Sequence, residues 1–228
     1  MSSRPRKPTS SALVVGVTGH RPNRLRALQL ARLLTHARDV LRDLAAAAAA
    51  RTEVPVTLYS ALAEGADRHL ARLALARGYA LHAVLPFARA DYAADFNTGE
   101  SVREYERLLG DAQRVVELPG DRRQSDHAYE SAGHAILDAA DLLIAVWDGA
   151  PSHGRGGTGD VVAEAWRRRI PIVHLSTVAH AMPTLLHTAA GRVPALDMDH
   201  LPDLPLDAAT LRALVAALLA AKQKGARN

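Results

Sequence analysis

With 228 residues, 48% of them hydrophobic and 23% charged, the chain is long enough for one domain with a sizeable core. No apolar run approaches the roughly 20 residues of a membrane span, and the absence of cysteine excludes disulfides, thiolate metal sites and a cysteine nucleophile. Of the net charge of +4, Arg4, Arg6 and Lys7 supply most, and two Phe, two Trp and five Tyr leave few rings for stacking on single strands, so nucleic acid is not an expected partner.

Residues 1–11 are basic but lack the apolar stretch of a secretory signal, and they read as a disordered tail on a cytoplasmic protein whose single folded unit spans 12–228. Residues 12–17 form a short continuous apolar run, as in a strand buried on both faces of a parallel sheet. From Leu25 the apolar positions recur at helical spacing through Leu44 and into an alanine run. The alternation then repeats. Strands are predicted at 54–59, 80–85, 114–118, 141–147 and 170–175, and helices at 66–77, 100–109, 125–139 and 158–168. Residues 86–96 read as a long loop that walls a pocket, with Tyr92 or Phe96 against a base and Arg89 near a phosphate. Beyond Ser176 several prolines interrupt the pattern before a final helix at about 207–222, which docks on the sheet or on a second subunit. Such alternation predicts an α/β fold, Rossmann-like and doubly wound, with a mostly parallel sheet.

Ligands of such sheets sit beyond the carboxyl ends of the strands. Three loops there are unusual. In Gly16-Val17-Thr18-Gly19-His20-Arg21-Pro22, Gly19 allows a sharp turn and Arg21 offers a planar fork for phosphate or carboxylate. In Ser60-Ala61-Leu62-Ala63-Glu64-Gly65-Ala66-Asp67, a glycine turn opens into a helix and presents unpaired N–H groups to an anion. Ser60 adds a hydroxyl, Glu64 reaches a ribose hydroxyl, and Asp67 caps the helix. The third loop, Asp148 to Gly159, holds five glycines in twelve residues just before a helix. It departs from a Walker A loop, because Arg155-Gly156 stands where Lys-Ser/Thr is needed. It spells the dinucleotide fingerprint at 154–159, yet follows a late strand and lacks the acidic residue about 20 positions on that would take a ribose. The eleven histidines show no metal-ligand spacing, so no metal is expected.

Taken together, GVTGHRP at 16–22, SALAEGAD at 60–67, VLPF with a later DF at 84–96, and AVWDG followed by GGTGDVV at 145–162 resemble the SLOG superfamily. This Rossmann-like group includes DprA and the LOG enzymes. The resemblance covers roughly residues 12–175 and is closest to a subgroup of predicted ligand sensors in bacterial conflict systems. It implies a nucleotide-type ligand over the strand ends, held by Gly19, His20, Arg21, Ser60, Glu64, Gly65, Asp148, Gly156, Gly157, Thr158 and Gly159. LOG-type phosphoribohydrolases carry PGGxGTxxE. Here Arg155 replaces the proline and Glu164 is displaced by one residue, a rotation of about 100° on a helix.

The first function these features imply is a noncatalytic nucleotide-binding or sensing protein, acting as a homo-oligomer. An alternative is a hydrolase of an N-glycosidic bond in a nucleoside monophosphate or ADP-ribose-like substrate, with Glu64, Asp148 or Glu164 as the carboxylate that stabilises the sugar cation. A DprA-like DNA-binding protein is a further alternative.

Overall fold

The computed structural model describes residues 12–53, 55–152, 154–187 and 195–225, so the basic tail expected at 1–11 lies outside the described residues. Strands β1 (Val14–Gly19), β2 (Thr57–Ser60), β3 (Ala80–Leu85), β4 (Arg114–Glu117), β5 (Leu142–Trp147), β6 (Ile172–Ser176), β7 (Thr184–Leu186) and β8 (Asp203–Pro205) make one sheet. Its order is β4-β3-β2-β1-β5-β6-β7-β8. The first six are parallel. Strands β7 and β8 add antiparallel at one edge. This is the expected Rossmann-like α/β architecture, extended by two short strands that the irregular sequence after Ser176 had concealed.

The helices are α1 (Ala27–Ala49), α2 (Ala66–Leu75), α3 (Arg89–Ala93), α4 (Gly99–Asp111), α5 (Ser125–Ala139), α6 (Thr158–Arg167) and α7 (Ala208–Gly225). Residue α3 positions lie within the stretch read as a loop, since five residues are too few to show a period. The largest apolar cluster joins one face of the sheet to α1, α2, α4 and α7, through Leu41, Leu44, Leu70, Leu108 and Val215 among others. On the other face α5 and α6 pack through Ile136, Val161 and Val162. Every residue of β5 is buried, which explains why its run is apolar throughout rather than alternating. The final helix docks on α1, and Lys222 ties it to the Ala12 carbonyl and the Asp141 carboxylate. No helix among the described residues is long and apolar enough to cross a membrane.

The chain begins in the middle of the sheet, winds outward from β1 to β4, then returns to place β5 on the other side of β1. The connections that leave β1 and β5 therefore diverge and open a crevice at their carboxyl ends.

Candidate functional site

A cleft of about 380 Å³ occupies that crevice, within the size range of small-molecule sites. It is bounded by the end of β1, the first turn of α2, the flank of α5 and the glycine-rich loop that leads into α6.

The β1 side is fixed by close approach. A side chain at Gly19 would lie 2.5 Å from the Ala66 Cβ and 2.9 Å from the Val146 Cβ, so the strand end fits between its neighbours only without one. The expectation of a sharp glycine turn at this position gives way to tight packing. His20, 4% exposed, donates its backbone N–H to the Val146 carbonyl and accepts from the Ala66 N–H at 3.1 Å. Its Nε2 lies 3.2 Å from the Asp148 backbone nitrogen and 3.0 Å from Asp148 Oδ1. Burial lowers the His20 pKa despite that carboxylate, which leaves the imidazole neutral near pH 7. Asp148 also receives Arg24 and the Ala150 N–H. Burial alone would raise its carboxyl, but these donors together with His20 outweigh it and hold the group below its ordinary value. Asp148 thus braces His20 and Arg24, which line the cleft, and is not itself one of the lining residues. Arg21 does line it, with its guanidinium 5.8 Å from the centre of the Tyr129 ring. Arg21 remains part-exposed, and its nearest carboxylate, Asp95, is 3.9 Å away.

The second loop has been turned relative to expectation. Gly65 has φ +94°, and a Cβ there would stand 2.6 Å from the His20 carbonyl oxygen. This kink directs Glu64 to the far side of α2, where its carboxylate accepts the Ser101 hydroxyl in a separate groove that shares no residue with the cleft. Ser60 is wholly buried and serves the turn itself, accepting from the Leu62 N–H at 3.0 Å and donating to Asp67 at 3.3 Å. The acidic residue that reaches the cleft is Asp67, the one read as a cap. It is 4% exposed, and burial pushes its carboxyl up to about 7, with Ser60, the Ala63 N–H, Arg21 and Arg68 acting in the opposite sense.

The third loop is braced rather than loose. The Trp147 indole donates to the Ala150 carbonyl at 2.8 Å, the Ser152 hydroxyl accepts the Asp160 N–H at 3.0 Å, and Asp160 accepts the Gly156 N–H at 3.1 Å. Side chains at Gly156, Gly157 or Gly159 would meet Glu130, Ser152 or Ala150 at 3.0 Å or less. Gly156, Gly157 and Thr158 line the cleft, and Gly159 lies buried behind them. The N–H groups of Gly157, Thr158 and Gly159 make no hydrogen bond among the described residues. They form the first turn of α6, where an anion is favoured. Arg155 adds an exposed guanidinium at the same mouth.

Glu164 does not take part. Its carboxylate is gripped by Arg167 and Arg168 and held down to about 2 by the Arg167 bond above all, outside the cleft. Phe96 does not line the cleft either, and the Tyr92 ring packs among Phe87, Phe96 and Tyr105 instead of lying open to a base. Arg89, expected near a phosphate, is bonded to Glu117. Across the cleft, the α5 flank presents Tyr129, Ala132 and Ile136, while Gly133 sits so close to α6 that a Cβ would lie 2.8 Å from Val161 Cγ2. Another depression, of about 460 Å³, lies beside α5 near His127 and His134. It shares only Pro86 with the cleft and receives none of the glycine-rich loops.

No family model matches the chain, and no curated protein matches it. Among solved structures, it is similar to DNA processing protein A (DprA) from Streptococcus pneumoniae, with 16% identity and a TM-score of 0.49 over 72% of this chain. The match spans 50% of the DprA chain. It is also similar to the structural-genomics target TM1055, with 13% identity and a TM-score of 0.38 over 67% of this chain and 81% of that one.

Proposed function

We propose that the cleft between β1, α2, α5 and α6 binds a nucleotide or nucleotide-derived small molecule, and that the protein acts by binding or sensing it as a SLOG-type module. The observation that carries this reading is that one cleft, at a topological switch point, is lined by Gly157 and Thr158, whose N–H groups on the first turn of α6 are uncommitted, and by Arg21 and Arg155. That end of the cleft takes a phosphate. The α5 flank supplies the apolar wall that a sugar or base requires.

Binding without turnover is favoured by the fate of the three carboxylates nominated for catalysis. Glu64 and Glu164 lie outside the cleft, and Asp148, which does not line it, is paired with His20 and Arg24. The DNA-processing role in the name of DprA has no counterpart among the cleft features, since a cleft of about 380 Å³ fits a small molecule better than a continuous backbone.

The test is a thermal-melting screen against nucleoside mono-, di- and triphosphates and dinucleotides, with chromatography of each mixture for free base. At least one compound raises the melting temperature of the wild type. Arg21→Ala loses most of that shift. An equal shift in Arg21→Ala removes the residue from the site, no shift with any compound overturns the reading, and release of base establishes the hydrolase instead.

A further inference from the structure

Two polar groups at the α2 end of the cleft have no part in holding a phosphate. Asp67 is 4% exposed and Tyr92 is 1% exposed, yet both line the cleft. The Tyr92 ring is packed in the aromatic cluster, and its hydroxyl forms no hydrogen bond among the described residues. The hydroxyl shares its surroundings with Asp67 and Arg21, so the polar end of the side chain is the part that meets the cleft. The hydroxyl is accessible from the cleft rather than sealed in the core, so a ligand there can bond it directly.

The cleft is therefore bipolar. At the α6 end it offers N–H donors and Arg155, and at the α2 end an acidic acceptor and a hydroxyl beside the Arg21 guanidinium. A plain anion satisfies only the first. Because just the tips of Asp67 and Tyr92 are accessible, the group they receive is small and carries O–H donors. We propose that Asp67 and Tyr92 form a corner that recognises the ribose hydroxyl pair of the bound nucleotide, and so selects ribonucleotides over their deoxy forms. The inference rests on the nucleotide reading above.

In this arrangement the two ribose hydroxyls donate to the Asp67 carboxylate, and one of them accepts from Tyr92. The groups facing Asp67 are the Ser60 hydroxyl, the Ala63 N–H, Arg21, Arg68 and Tyr92, with Asp95 behind Tyr92. Since hydroxyl donors stabilise the ionised carboxylate, the ligand binds that form better. Preference for the ribose accordingly weakens as the pH falls below about 7.

Isothermal titration decides the matter with the 5′-monophosphates of adenosine, guanosine, cytidine and uridine, and with their 2′,3′-dideoxy counterparts. The wild type binds a ribonucleotide about tenfold or more tighter than its dideoxy form, as loss of a hydrogen bond to a charged group implies. Asp67→Asn and Tyr92→Phe each bring that ratio toward one while affinity for the dideoxy form stays within about threefold, a change that general loss of structure would not produce. Equal affinity for ribo and dideoxy forms in the wild type overturns the inference and leaves the nucleotide reading intact, as does selection by base alone. An unchanged ratio in Asp67→Asn also overturns it. If no monophosphate of either kind binds, the nucleotide reading falls and this inference with it.

Discussion

Asp67 has a consequence for stability that is separate from any ligand. Its carboxyl titrates at about 7 in the folded chain against an ordinary 3.8, so between those values the folded state holds a proton that the unfolded state has released. Stability therefore falls as pH rises through that window, by an amount on the order of 4 kcal/mol at its full extent. Asp67→Asn removes the dependence. Urea midpoints should show the variant more stable than the wild type at about pH 8, with the gap closing toward about pH 4. The sequence alone assigned the ribose contact to Glu64 and the cap to Asp67, because acids in a first helical turn are favourable wherever they point. What turns Glu64 away from the cleft and leaves Asp67 lining it is the backbone at Gly65, whose φ of +94° cannot be read from residue identities. Arg21 and the Gly156-Gly157-Thr158 stretch were legible, since their chemistry does not depend on such a turn.

At the scale of elements, the β2–α2 connection carries the strain that shapes the cleft. Leu62 has φ +56° with its side chain fully buried, and its carbonyl is held by the Arg68 guanidinium at 2.9 Å. Two residues after Glu64 begins to turn, the Ala66 N–H is bonded to the His20 carbonyl, so the connection is pinned at both ends. Gly65→Ala combines an unfavourable backbone conformation with a contact of 2.6 Å to that carbonyl. It should destabilise the fold by at least about 2 kcal/mol in chemical denaturation, and lower ligand affinity even where folding is retained. Elements with long, consistent patterns were readable: β3 and α5 occupy 80–85 and 125–139 as expected. Those that escaped are short. α3 has five residues and β7 and β8 three each, so pairing with the sheet rather than any local period defines them.

Across the whole molecule, α7 brings the end of the described chain back to its beginning. Leu211, Val215 and Leu219 are buried against the core, and Lys222 joins Asp141, whose side chain is 7% exposed. Asp141 in turn accepts the Val14 N–H at 2.9 Å, at the start of the central strand. Lys222→Met keeps the apolar stem but strips the cation from a buried carboxylate, and should lower the unfolding free energy by about 2 kcal/mol. Calorimetry on the variant checks this, with little change expected in ligand affinity because the cleft lies at the opposite end of β1. The pairing was not legible, since Asp141 and Lys222 are far apart in sequence and belong to different patterns. The close seat of Gly133 on Val161 sets a different kind of limit. Packed helices do not yield smoothly, so the spacing of α5 and α6, both of which wall the cleft, is set by a glycine that leaves no clearance. One added methyl at Gly133 would force the two helices to a new spacing and reshape the wall they share.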